Sequence, residues 1–128
     1  MIIMSWFKKI AVYLPKDSVW ISPSGEIIPI RGSHHFFVIE MLPEFEKTDE
    51  FRNSTDDIQL MRDAINYALD KGYIRVGIDT ALHIIYLDYK TLSSDQQFAV
   101  HELSKEYKAN QIQTEQGLYS IEEFWEMN

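Results

Sequence analysis

The residues best suited to hold a metal or move a proton near neutral pH are four histidines, at positions 34, 35, 83 and 101. His34 and His35 are adjacent, so on a helix or a strand they point in different directions and rarely share an ion. His83 falls on an expected strand, and His101 on an expected helix beside Glu102. No HExxH, no pair of histidines four residues apart and no acidic calcium loop occurs. Cysteine is absent, which removes disulfides, thiolate nucleophiles and thiolate zinc sites together. There is no GxSxG, and the glycines at 25, 32, 72, 77 and 117 are too isolated to cradle a phosphate. The carboxylates Glu44/Glu46, Asp56/Asp57 and Glu122/Glu123 read as solvated charge or as first-turn helix charge. No catalytic, cofactor-binding or metal-binding residue is therefore assigned, and no cofactor is expected. His34 and His35 remain as candidate functional polar groups beside a loop.

The elements that would position such groups are organised around residues 58–87. Ile58, Met61, Ile65 and Ala68, with Leu60, Ala64 and Leu69, recur at helical spacing, and residues 54–57 supply cap oxygens and first-turn carboxylates. Lys71-Gly72 offers a basic last turn and a left-handed stop. The period then falls from 3.6 to 2 across 73–78 and resumes over 82–87, which predicts an antiparallel hairpin. A second hairpin is expected over 19–30, turned by Pro23-Ser24-Gly25, with Pro29 confining its strand to an edge. Residues 34–42 read as a short helix capped by Ser33, and 44–57 as a surface loop with a turn of helix. Ser93 and Gln96 form a capping box for a helix to about Tyr107, and Ser120 and Glu123 do the same for a C-terminal one. Residues 111–117 are polar and uncommitted. The expected fold is α+β: two antiparallel hairpins in one small sheet, a face of it covered by helices 58–71 and 94–107, plus short terminal helices.

At 128 residues the chain is expected to be a single domain, with residues 1–14 as an N-terminal arm and 118–127 as the C-terminal helix. The apolar run Met1–Phe7 is too short to span a bilayer, and no membrane partner is expected. Twenty acidic residues against twelve basic ones leave a net charge of −8. Direct contact with a phosphate backbone is disfavoured by that sign, since such contact comes from clustered lysine and arginine. The order helix then hairpin over 58–87 matches a winged-helix unit, but Asp57, Asp63 and Asp70 outnumber Arg62 and Lys71 on the helix.

Three pieces of sequence carry a resemblance. They are the Trp-Ile-Ser-Pro-x-Gly hairpin at 20–25, the Gly-aromatic-Ile-Arg-Val strand at 72–76 and the Leu-Ser-Ser-Asp-Gln helix start at 92–96. With the histidine-bearing segment 34–42 between them, the chain resembles small uncharacterised proteins encoded by phages and prophages. The resemblance implies a compact α+β domain, a phage or mobile-element setting and the cytoplasm of a bacterial host, and it supplies no catalytic residues.

Together these readings favour a non-enzymatic protein that binds another protein, a host factor or a second copy of itself as a homodimer. Trp6, Phe7, Phe124 and Trp125 are the candidate interface, since the ends carry more aromatic surface than capping a small core requires. The alternatives are a small hydrolase whose His/carboxylate site is assembled only by the fold, from His34, His35, Glu40, His83 or His101, and an acidic nucleic-acid mimic.

Overall fold

The computed structural model describes residues 17–30 and 34–127, an α+β arrangement built on one six-stranded mixed sheet. The strands are β1 (Asp17–Ile21), β2 (Ile27–Pro29), β3 (Ile74–Asp79), β4 (Ile84–Asp88), β5 (Gln111–Thr114) and β6 (Gly117–Ser120). The helices are α1 (His34–Met41), α2 (Asp49–Arg52), α3 (Asp57–Asp70), α4 (Ser94–Glu106) and α5 (Ile121–Met127), with a 3-10 turn at Pro43–Lys47. Strand order is β2-β1-β3-β4-β5-β6, so Pro29 sits at an edge where its missing N–H costs no ladder bond. All neighbours are antiparallel except β4 and β5. That parallel pair is joined through α4, the kind of crossover a parallel connection requires.

Helix ends follow from local chemistry. At the start of α3 the Asp56 carboxylate accepts from the Gln59 backbone N–H at 2.9 Å. Its end is closed by Gly72 at φ +90°, with the Tyr73 N–H donating to the Ala68 carbonyl at 3.1 Å. For α4 the Ser93 hydroxyl accepts from the Gln96 N–H at 3.1 Å and the Gln96 side chain accepts from the Ser93 N–H at 2.9 Å. The same reciprocal pair, Ser120 and Glu123, opens α5.

Both faces of the sheet are covered, whereas the sequence suggested that the two main helices share one. Ile74, Val76 and Ile78 of β3 face Ala99, Val100 and Leu103 of α4 and Phe124 of α5, with Ile21, Ile85, Leu87 and Ile112 beside them. On the other side Trp20 packs with Val38 of α1, Phe45, and Ala64, Ile65, Ala68 and Leu69 of α3. Ile58, expected in that stripe, is 55% exposed in the first turn of α3. Residues 111–120 form a third hairpin, so the sheet is larger than the two hairpins expected. His83 is not on a strand: it sits in the β3–β4 turn at φ 56°, where its carbonyl accepts from the Asn110 N–H at 2.8 Å. The proposed arm at 1–14 and the Ser33 cap lie outside the described residues. Among the described residues no helix is long and apolar enough to cross a membrane.

One corner ties these parts together. The buried Gln96 amide donates to the Ile21 carbonyl at 3.2 Å and the Gly72 carbonyl at 2.7 Å, and the Ser93 hydroxyl donates to the Pro23 carbonyl at 2.8 Å. A Cβ on Gly25 would lie 3.0 Å from the Asp95 carbonyl oxygen, on a backbone already at φ +89°. The three motifs at 20–25, 72–76 and 92–96 therefore converge on a single packing junction. Gln96→Met keeps the side-chain length but strands two carbonyls and the Ser93 N–H. It is expected to cost about 2–3 kcal/mol in a urea melt, and a loss under about 0.5 kcal/mol would mean that the corner contributes little.

Candidate functional site

Of the candidate residues named from the sequence, Trp6 and Phe7 lie outside the described residues. His34 and His35 are consecutive in the first turn of α1. Glu40 is exposed on the same helix, His83 is exposed in its turn, and His101 is partly buried on α4. Among the described residues no group of three or more histidine, aspartate or glutamate side chains is placed to hold a metal ion. Phe124 is 0% exposed within the core, so the structure removes it from the candidate interface. Trp125 is partly buried against that core, with its ring 6.0 Å from His101 and 5.1 Å from Phe124.

The most strongly perturbed ionisable group among the described residues is Arg75 of β3, on the side of that strand opposite Ile74, Val76 and Ile78. Its side chain is fully buried, and one guanidinium nitrogen, Nη2, donates to Asp88 Oδ2 of β4 at 3.0 Å. Register explains the meeting, since Trp20, Arg75 and Asp88 are direct partners across β1, β3 and β4. The guanidinium lies 5.9 Å from the Trp20 ring centroid. Burial pulls the Arg75 pKa down from its ordinary value to about 10, a loss that the Asp88 carboxylate only partly restores. Nε and Nη1 of Arg75 and Nε1 of Trp20 are buried without a hydrogen-bond partner. With the guanidinium walled in, the pair is a structural feature of the core and not a reactive centre.

Of the hollows on the described surface, three bear on a site. The smallest, about 90 Å³ beside Asp88, Lys90 and Glu115, has room for a few waters. A second of about 370 Å³ lies over Phe45 and Tyr67 between Glu50, Asp63 and Asp70. Two of its carboxylates are already engaged: Asp63 accepts from the Gln59 amide, and Asp70 pairs with Lys90. Lys71 supplies a further cation, 5.3 Å from the centroid of the Tyr67 ring. The third, about 470 Å³, lies between the last turns of α4 and the start of α5.

The outer surface of α4 and α5 offers something different. Phe98 is 66% exposed, the most exposed large apolar side chain among the described residues. It stands three residues before His101 and so shares its side of α4, and the His101 ring in turn contacts Trp125. Exposed Glu102, Glu122 and Glu126 neighbour the line Phe98–His101–Trp125, with exposed Lys105 one turn beyond His101, and Met127 at the end of α5 is 57% exposed. Sequence reading passed over Phe98. The signal was present, for a large aromatic there falls outside the inward set Ala99, Val100, Leu103 and Tyr107 of an otherwise polar helix face.

This arrangement can form contacts. Set against models of known families, curated proteins and solved structures, the chain matches none of them.

Proposed function

We propose that this protein acts by binding another protein through the outer α4–α5 face, as a phage- or prophage-encoded modulator of a bacterial host factor. The observation that carries the reading is Phe98, a phenyl ring held two-thirds in water on a rigid, capped helix. Beside it, Trp125 is already ordered by packing, so little conformational freedom remains to be lost on binding. The acidic border and the net charge of −8 name the partner's chemistry: an apolar recess rimmed by lysine and arginine. Two copies of this face would oppose like charges, which disfavours a homodimer built on it.

Size-exclusion chromatography with light scattering and capture from bacterial lysate at low salt provide the test. The expected result is a monomer that retains a protein with a basic surface, released as ionic strength rises. Phe98→Ala, and separately Trp125→Ala, should then weaken the complex by about 1–2 kcal/mol each, and Phe98→Ala should leave the unfolding transition where it was. A monomer that retains nothing, or a complex indifferent to both substitutions, overturns the proposal. A dimer broken by Phe98→Ala would assign the face to self-association instead.

A further inference from the structure

In a chain with twenty acidic residues, one of the described hollows is lined by two lysines and a histidine. The hollow of about 470 Å³ between α4 and α5 is lined by Lys105, Lys108, His101 and Asn110, which supply up to four N–H donor groups. Ala109 and Ile121 form its apolar wall, and Glu122 is the single carboxylate on its border. Ser104 also lines it, but its hydroxyl proton is given to the His101 carbonyl at 2.7 Å. Neither lysine makes an ion pair with a described residue. Lys108 also occupies an unusual backbone position. The closing turn of α4 has the Ala109 N–H donating to the Ser104 carbonyl and the Lys108 N–H to the Lys105 carbonyl, which places Lys108 in the left-handed region at φ 55°. Glycine or asparagine is the usual residue there, and here a lysine is kept at the lip of the hollow despite the strain.

We propose that this hollow is a binding site for a small phosphomonoester. Two ammonium groups with an imidazole and a carboxamide act as point donors around a volume, which suits a tetrahedral dianion. A planar carboxylate is more often held by the fork of an arginine, and no arginine lines the hollow. The space exceeds what a bare phosphate fills and lies in the range of small-ligand pockets, about 300–1,000 Å³. It therefore leaves room for an organic body against Ala109 and Ile121. The site does not depend on the protein contact proposed above, although His101 touches both.

Amide NMR spectra recorded during titration with glycerol 3-phosphate, with inorganic phosphate, with a phosphoserine peptide and with sodium chloride at matched ionic strength test the proposal. Expected are saturable shifts confined to residues 101–110 and 121–122, with a midpoint of about 1 mM or lower for glycerol 3-phosphate and a weaker one for inorganic phosphate. Lys105→Gln combined with Lys108→Asn, which keeps a residue tolerant of the left-handed position, should weaken binding about tenfold or more. Glu122→Gln should tighten it about threefold, because the opposing charge is gone. Non-saturating shifts equal to those from chloride, or unchanged affinity in the double variant, overturn the site. Weaker binding in Glu122→Gln overturns the anionic ligand, and preference for the phosphoserine peptide over glycerol 3-phosphate overturns the small-molecule assignment.

Discussion

Replacing Asp88 with alanine is expected to cost the fold about 3–5 kcal/mol, measured by urea unfolding with an unchanged slope. Asp88 is the carboxylate that Arg75 meets, at 3.0 Å, and the Arg75 side chain has no solvent to fall back on at 0% exposure. A guanidinium remains charged at neutral pH, so truncating the acid leaves a buried, uncompensated cation. The depressed Arg75 pKa shows that burial already opposes the charge more strongly than Asp88 supports it. The Trp20 ring, 5.9 Å away, supplies only part of the difference. That imbalance has a second consequence of opposite sign. Changing both partners to apolar residues, Arg75→Met with Asp88→Leu, is expected to be neutral or stabilising by about 1–4 kcal/mol, since the desolvation cost leaves with the charges. If Asp88→Ala instead melts within about 1 kcal/mol of the parent, the guanidinium has found another acceptor and the pair does not organise the centre of the sheet.

Arg75 also marks where the sequence misleads. On β3, Ile74, Val76 and Ile78 point one way and Arg75, with Tyr73 just before the strand, the other, an alternation that in an antiparallel sheet commonly means one packed and one solvated face. Five of the six β3 residues are buried, because α1 and α3 cover the face that carries Arg75. Periodicity reports polarity, and a cation with a cross-strand carboxylate can be polar and buried at once. Residues 111–114 mislead in the opposite direction. Gln-Ile-Gln-Thr is short and mostly polar, yet pairing with β4 on one side and β6 on the other buries its two β-branched residues, Ile112 and Thr114. Local signals fared better. The caps at Ser93 and Ser120 and the stop at Gly72 are visible from sequence because capping needs only neighbours along the chain. The resemblance motifs are legible in the same way, and their convergence on Gln96 gives them a packing role that no spacing along the chain expresses. The candidate face was half legible: Trp125 stood out as a terminal aromatic, whereas Phe98 was hidden inside a helix whose other apolar residues do face inward.

Phe124→Ala should separate the core from the contact face, with an expected loss of about 3–5 kcal/mol in the same melt. The ring is 0% exposed and makes edge contacts with Tyr89 and Trp125, at centroid distances of 6.4 and 5.1 Å. Seven residues are too few for a helix to persist in water without tertiary packing, so α5 depends on this anchor and on the Ser120–Glu123 cap. Emptying the Phe124 site therefore does more than leave a cavity. It releases α5, and with it the position of Trp125 over His101. Phe124→Ala is accordingly expected to lower stability and partner affinity together, and part of the lost stability should return when a bound partner stabilises the folded state. Phe98→Ala should lower affinity alone. Measuring both quantities on both variants makes the distinction sharp, because an interface residue and a core residue next to the interface give different pairs of numbers. A Phe124→Ala protein that melts within about 1 kcal/mol of the parent would show that α5 is not docked through this ring, and the face built on it would lose its support.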